Sequence, residues 1–315
     1  MIDLNLRSAL LENLSDLDAG DSIAVGVSGG ADSIALLRAA VHVGQELSLN
    51  VAAVIIDHQL QENSEVVAQQ ATKVAQSLGA SPVVVIPVDV ATGKGSGGLE
   101  AAARDARRAA FKTFAASNDV KAVLLGHTKN DQAETVLLGL ARGSGARSLS
   151  GMQHIDGLYR RPFLGVDRDV VRASVADLEI YNDPHNDDLH FTRVRVRNEV
   201  LPVLERELGK GIIGSLARTA DMLHDDADAL DAFAQDALTD EVEELQYLDR
   251  AVRTRVLRML ALQAGALAND LTREHILGID ELITNWHGQG PLNLPGSIDV
   301  TRAHGKLIFN KSVKE

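Results

Sequence analysis

The chemistry in this chain is concentrated in a few short strings. Ser22-Ile23-Ala24-Val25-Gly26-Val27 is an apolar run that breaks into Ser28-Gly29-Gly30-Ala31-Asp32-Ser33, after which Ile34-Ala35-Leu36-Leu37 resumes with helical character. A strand that turns through small residues into a helix start presents backbone N–H groups at the positive end of the helix, where a phosphate group can sit. Serines on both sides of the glycine pair, with an aspartate aimed at the same spot, exceed what a plain strand–helix turn needs. No Lys-Ser or Lys-Thr follows in a G-x-x-x-x-G register, which excludes a Walker A loop. Gly26, Gly29 and Gly30 also miss the G-x-G-x-x-G register of the dinucleotide-binding folds.

Further groups recur downstream. Arg104 and Arg107, three apart in an Ala-rich helical stretch, project from one face, and two guanidinium forks suit a pyrophosphate or an RNA backbone. His127 precedes Asp131 and Glu134, which are i and i+3 at a helix start. An N-cap Asp131 with Glu134 as its capping-box partner accounts for the two acids but leaves His127 unexplained. Asp57-His58 stands at the end of another apolar run and reads on its own as a turn pair. Arg193, Arg195 and Arg197 alternate with valines, a period-two stripe that reads as a strand face or a solvated edge. Placed before a helix and beside the active edge, they are candidates for RNA phosphate contacts.

These strings need a scaffold that brings them to one place. The runs 22–27, 51–56, 81–86 and 120–125 read as buried strands, and helical patterns over 4–18, 64–78, 99–116 and 131–140 alternate with them. Continuous apolar strands alternating with helices indicate an α/β fold with a parallel, doubly wound sheet covered on both faces. In such sheets ligands bind outside the carboxyl ends of the strands, where the strings just named fall. The glycine-rich stretch 91–98 reads as a surface loop, or as a lid with Lys94 near a phosphate.

The expected boundary lies near residue 205, with residues 1–205 as the nucleotide-binding domain. Residues 206–315 form a smaller, mainly helical substrate domain: two or three packed helices, then a hairpin over 297–300 and 306–309. The arginines at 250, 253, 255 and 258 stand among many acids, so ion pairing is their expected use. With 31 Lys+Arg against 44 Asp+Glu the formal charge is −13, which argues against coating by nucleic acid but allows a local basic face. There is no cysteine, so disulfides, cysteine metal sites and thiol nucleophiles are excluded. No apolar stretch approaches the roughly 20 residues of a membrane span and no leader pattern opens the chain, so a cytoplasmic protein with no membrane partner is expected.

The string Ser28 to Ser33 resembles the SGGxDS loop of the PP-loop ATP pyrophosphatases, which have an adenine-nucleotide alpha-hydrolase-like fold. They cleave ATP between its α and β phosphates to adenylate a substrate oxygen. Further strings resemble one branch, the tRNA(Ile)-lysidine synthases: Gly126 to Thr135 against G-H-x-x-x-D-Q-A-E-T, Ala103 to Arg107 against A-R-x-x-R, and the loop Arg142 to Arg147. Arg161-Pro162-Phe163-Leu164 against R-P-L-L and the acidic turn Asn182 to Asp187 before Arg193 to Arg197 extend the likeness. It covers about residues 22–205. Asn130 stands where the family commonly has a second Asp, and Val194 where it usually has Asn.

The resemblance implies ATP, Mg²⁺, free L-lysine and an isoleucine tRNA with a CAU anticodon as cofactors and partners. Ser28, Gly29, Gly30, Ala31, Asp32 and Ser33 would hold the nucleotide, with Asp57 and His58 beside it, and Asp32 and Asp131 would hold Mg²⁺. Arg104 and Arg107 would clamp phosphate or the adenylate. Glu134 would hold the lysine ammonium or accept its proton, with His127 as a proton partner. Arg142, Arg147, Arg193, Arg195 and Arg197 would contact RNA. Two other readings stay open: a PP-loop ligase with a small-molecule acceptor, favoured by the acidic charge, and a non-enzymatic nucleotide-binding module.

Overall fold

The computed structural model describes residues 2–59, 64–90, 98–143, 145–178, 180–181 and 188–312. The loop around Lys94 and the acidic turn Asn182 to Asp187 lie outside the described residues, as does Ser144. The chain divides into two compact units, Met1–Leu223 and His224–Glu315.

The first unit begins with α1 (Leu4–Asn13), β1 (Ser22–Val27), α2 (Ala31–Leu47), β2 (Asn50–Asp57), α3 (Ser64–Ser77) and β3 (Val83–Pro87). It continues with α4 (Gly98–Ser117), β4 (Val120–Leu124), α5 (Lys129–Ala141), α6 (Ala146–Leu149), β5 (Ile155–Asp156) and β6 (Tyr159–Arg160). The strands form one sheet in the order β3-β2-β1-β4-β6-β5, parallel throughout except for the β5–β6 pair. Alternate residues of each strand serve opposite faces, which is why the strands read as unbroken apolar runs. Ile23, Val25 and Val27 pack with α1 and α2 on one side, whereas Ala24, Val54 and Val123 pack against Phe111 and Phe114 of α4 on the other.

Chain order reverses between β1 and β4, so the crevice of the sheet opens where the Ser28–Ser33 loop and the Gly126–Thr128 turn leave adjacent strands. Two glycines permit that geometry. Gly29 has φ +85°, a left-handed conformation that side chains disfavour. A Cβ on Gly126 would lie 2.9 Å from the Asp32 carbonyl oxygen and 3.1 Å from the Ser33 Cα, inside the backbone of the loop.

The rest of this unit is a 3₁₀ turn (Pro162–Gly165), α7 (Arg168–Ala173), α8 (Thr192–Arg195), a π-helical turn (Val196–Val200), α9 (Leu201–Leu208) and the start of α10 (Ile212–Asp236). In the second unit, α11 (Val242–Tyr247), α12 (Arg250–Gln263) and α13 (Arg273–Thr284) share a core with a three-stranded antiparallel sheet of β7 (Leu292–Leu294), β8 (Ile298–Ala303) and β9 (Lys306–Lys311). The hairpin is longer than the sequence suggests, and β7 adds a strand within a stretch that its Gly and Pro residues mark as turns. Leu292 and Leu294 pack into the core and pair with Val300 and Ile298, which outweighs local turn propensity. The expected ion pairing holds for two of the four α12 arginines, Arg253 with Asp280 at 2.6 Å and Arg255 with Asp231 at 2.8 Å, while Arg258 donates to the Leu271 and Ala268 carbonyls.

Gly126→Ala drives its methyl into the Asp32–Ser33 backbone. A stability loss of about 1–3 kcal/mol is expected in urea denaturation, with weaker ATP binding in titration calorimetry. An unchanged urea midpoint with unchanged ATP affinity would show that β4 and the loop do not need this approach.

Candidate active site

The Ser28–Ser33 loop is held by its own hydroxyls. Ser33 Oγ donates to the Gly30 carbonyl at 2.9 Å, the Ser28 N–H donates to Ser33 Oγ at 3.1 Å, and the two hydroxyl oxygens lie 3.2 Å apart. Gly30 is the N-cap of α2 and brings no side-chain cap, so the first helical N–H groups are left for an outside acceptor. Asp32, in the first turn of that helix, is the acid nearest to them in sequence.

At the ends of β2 and β4 stand two imidazoles, His58 and His127, among a set of guanidiniums. Burial holds the His127 imidazole neutral, with its pKa lowered to about 3, and the nearby charges of Arg161, Arg193 and Arg107 oppose the help it gets from Asp131. Among the described residues its Nδ1 is buried without a hydrogen-bond partner, as is Nδ1 of His58. Burial and the charge of Arg107 also lower the His58 pKa. Asp57 accepts from the Gln59 N–H at 3.0 Å and acts against the lowering of the His58 pKa. Burial lowers the Arg107 pKa, as does its neighbour Arg104. Arg107 has no carboxylate partner among the described residues, which leaves a half-buried cation ready for an anion. Arg108, one residue on, stacks 4.7 Å from the Tyr159 ring centroid and donates to Asp156, so it is a structural neighbour.

The acid pair is the centre of the site. Glu134 is wholly buried and is ringed by cations: Arg193 Nε at 2.7 Å, Arg197 Nε at 2.7 Å and its second nitrogen at 3.0 Å, and Arg168 at 3.3 Å. Asp131 Oδ1 takes Arg168 at 2.8 Å, while its Oδ2 accepts from the Thr128 N–H at 2.8 Å and hydroxyl at 2.7 Å. Burial alone would raise the Asp131 pKa, but the charges of Arg168 and Arg193 and the Thr128 N–H outweigh it and hold it well below the usual carboxylate range. Glu134 in turn raises the Arg197 pKa against the cost of burial. The network reaches the loop, because Asp32 lies 3.7 Å from Arg168 Nε and 3.2 Å from Arg172 Nε.

Three local readings change. The cap of α5 is Thr128, with Asp131 as its N3 partner in the capping box, which frees Glu134 to face inward from the second turn. The Arg193–Arg197 stripe is helical, so i and i+4 share a face: Arg193 and Arg197 both turn to Glu134, whereas Arg195 donates to the Leu189 and His190 carbonyls. Val194 is buried on the other side. Asn130 does not face the acids; its Oδ1 accepts from the Arg168 N–H at 3.1 Å. Arg142 and Arg147 are exposed at the C-cap of α5 and in α6. Arg168 and Arg172 are the site residues that sequence reasoning missed. Their only signal is position, a short helix just after Arg161-Pro162-Phe163-Leu164.

Sheet order, loop and helix start together define a PP-loop domain, and residues 3–204 match the sequence profile of the PP-loop domain family. Residues 241–308 match that of the TilS substrate binding domain. Over 315 aligned residues the chain is 49% identical to the tRNA(Ile)-lysidine synthase of Thermobifida fusca, covering 97% of this chain and 96% of that one. It is 46% identical to that of Streptomyces coelicolor, covering 95% and 88%. The U34-tRNA thiolase NcsA from Methanococcus maripaludis has a similar fold, with a TM-score of 0.58 at 16% identity over 69% of this chain and 78% of that one. The chain belongs to the tRNA(Ile)-lysidine synthase family.

Glu134→Gln removes the buried anion and leaves its guanidiniums uncompensated. A loss on the order of 3–5 kcal/mol is expected in chemical denaturation, and an unchanged midpoint would show that the cluster rearranges freely. His127 makes stability depend on pH. Its folded pKa lies below the unfolded 6.5, so its contribution is complete above pH 6.5 and is lost as pH falls towards 3. Going from pH 7 to pH 5 costs about 2 kcal/mol from this group, and His127→Asn should lack that component when denaturation is compared at the two pH values.

Proposed function

We propose that this chain uses ATP to join L-lysine to the wobble cytidine of an isoleucine tRNA with a CAU anticodon, forming lysidine. Its near-full-length identity to lysidine synthases is the observation that carries the reading. In the first step the cytidine O2 attacks the α phosphorus of ATP, the bond to the β phosphate breaks, and pyrophosphate leaves. In the second the ε-amine of lysine attacks C2, its proton is lost, and AMP departs with the former O2.

The uncapped N–H groups at the start of α2 would receive the departing pyrophosphate, where negative charge develops. Arg107, half-buried and without a carboxylate partner among the described residues, suits a phosphate or the adenylate, with Arg104 beside it. Neutral His127 and His58 supply ring nitrogens at the strand ends for polar contacts to the nucleotide or the base. His127 is too weak a base at neutral pH to carry a proton, so its role is contact and orientation.

Asp32 would be the carboxylate that holds Mg²⁺, through the lone pairs left by Arg172 on one oxygen and by Arg168 at 3.7 Å from the other. Among the described residues no three acidic or histidine side chains cluster as a metal site, and Mg²⁺ commonly takes one or two carboxylates with phosphate oxygens and water. Bound there, it would neutralise charge on the phosphates. Asp131 has Thr128 on one oxygen and Arg168 on the other, so its share in the metal would need an added lone-pair contact. Glu134 meets the lysine ammonium only if Arg193 or Arg197 yields one of its contacts.

RNA contacts are assigned to the exposed Arg142 and Arg147. From Arg193 and Arg197 such contacts would compete with Glu134, and from Arg195 with the carbonyls it now binds. No helix among the described residues is long and apolar enough to cross a membrane, which is compatible with the expected cytoplasmic location.

The test is pyrophosphate release from ATP with tRNA and lysine omitted in turn, together with incorporation of labelled lysine into tRNA. Release should require tRNA, and repeated turnover should require lysine. Asp32→Ala should cut release by roughly 100-fold or more while leaving the urea midpoint little changed. Release that needs no tRNA would transfer the reading to a ligase with a small-molecule acceptor.

A further inference from the structure

Among the ion pairs of the described residues, Arg168 is the cation within 4 Å of all three acids of the site. It is 7% exposed; its guanidinium donates to Asp131 at 2.8 Å and Glu134 at 3.3 Å, and its Nε lies 3.7 Å from Asp32, an ion-pair distance without a hydrogen bond. Asp131 and Glu134 are carried by α5, after β4. Asp32 is carried by α2, after β1. The two helices are adjacent at the switch point of the sheet, but each holds only its own acids. A planar group with donors in several directions can fix the distance between them, which a lysine ammonium on a flexible stem cannot do.

Charge balance alone does not account for Arg168. Glu134 already has Arg193 and Arg197 at 2.7 Å, both closer than Arg168. What Arg168 adds is the closest cation on Asp131, at 2.8 Å against 3.4 Å for Arg193 and 3.5 Å for Arg197, placed 3.7 Å from the loop acid. Its own place is set from α5: Asn130 Oδ1 accepts from the Arg168 N–H at 3.1 Å, and the Lys129 N–H donates to the Val166 carbonyl at 2.9 Å, stitching the starts of α5 and α7 together. One turn further along α7, Arg172 reaches the other oxygen of Asp32 at 3.2 Å.

We infer that Arg168 is a positioning residue for the reaction. It holds the loop acid Asp32 at a set distance from the Asp131–Glu134 pair, and Asn130 acts through it by anchoring its backbone. The inference rests on the lysidine-forming reading and adds a residue whose effect is geometric. Its signature is a fall in kcat with little change in KM, because substrates are bound by other groups while the reacting geometry is lost.

The experiment is steady-state lysidine formation by the full chain carrying Arg168→Ala, Arg168→Lys, Asn130→Ala or Asn130→Asp. Thermal melts and ATP affinity are measured on the same preparations. Arg168→Ala should lower kcat by about 100-fold with KM for ATP and lysine changed by less than about threefold. Added guanidinium ion should restore about tenfold of that loss, and Arg168→Lys should retain only a minor part. Asn130→Ala should cost about tenfold and add nothing further in an Arg168→Ala background, because it acts through the same group. Asn130→Asp keeps the acceptor and should stay within about twofold of the parent.

An Arg168→Ala protein with parental kcat would overturn the inference. So would a loss confined to KM, which would make Arg168 a substrate-binding group, or a loss that follows the melting temperature and is not restored by guanidinium. Equal losses from Asn130→Asp and Asn130→Ala would remove Asn130 from the account. If the parent chain itself forms no lysidine, the functional reading fails first, and ATP affinity then reports separately on the nucleotide loop.

Discussion

A carboxylate that water cannot reach must be matched by cations, and the first unit is arranged around that requirement at Glu134. Taking a charge out of water costs several kcal/mol unless geometry and hydrogen bonds repay it. Arg193, Arg197 and Arg168 repay it from two separate stretches of chain, both of which have to fold back over α5 to do so. The placing of Arg168–Ala173 and of Thr192–Leu208 is therefore tied to the electrostatics of the site as well as to the apolar contacts of Val196 and Leu201 with Ala133. Because Arg168 also touches Asp131 and Asp32, the same requirement links the second half of the unit to the nucleotide loop.

The sheet supplies the complementary constraint. Parallel strands buried on both faces have their functional residues only at their ends, and the order β3-β2-β1-β4-β6-β5 puts the ends of β1 and β4 next to each other. Gly126 brings those ends to van der Waals distance. The result is a crevice with two chemical sides. One has uncapped helical N–H groups, neutral imidazoles and Arg107, which together suit phosphate. The other has acids already saturated by guanidiniums. Any further cation brought to the second side would compete with the internal arginines for the same oxygens.

The overall charge of −13 is a sum over the whole chain and does not describe the site, where arginines gather round the acids. In the second unit three of the four arginines of α12 are spent on neighbouring acids and carbonyls, Arg253 on Asp280, Arg255 on Asp231 and Arg258 on the Leu271 carbonyl. Its acidic balance limits how much phosphate that unit can face. The family membership of its residues 241–308 rests on sequence, and the stacking of Arg302 on Trp286 at 5.4 Å is its most distinctive surface contact.

The sequence by itself determined the loop, the parallel sheet and the family. Strand–glycine–helix order and apolar periodicity are local signals, and the phosphate-binding geometry of Ser28 to Ser33 is built from consecutive residues. It also brought Asp131, Glu134 and His127 to one turn of chain. Only the tertiary structure decided what those residues are bound to. The Arg193–Arg197 stripe has a period of two in sequence, yet packing of Val194 and Val196 makes the segment helical and sends two of its arginines inward. Arg168 lies 34 residues beyond Glu134 and carries no motif of its own. His127, neutral-range in any sequence table, is held neutral far below pH 7 by burial among arginines. Contacts between distant segments and the loss of water are properties of the folded chain, and no spacing along the chain encodes them.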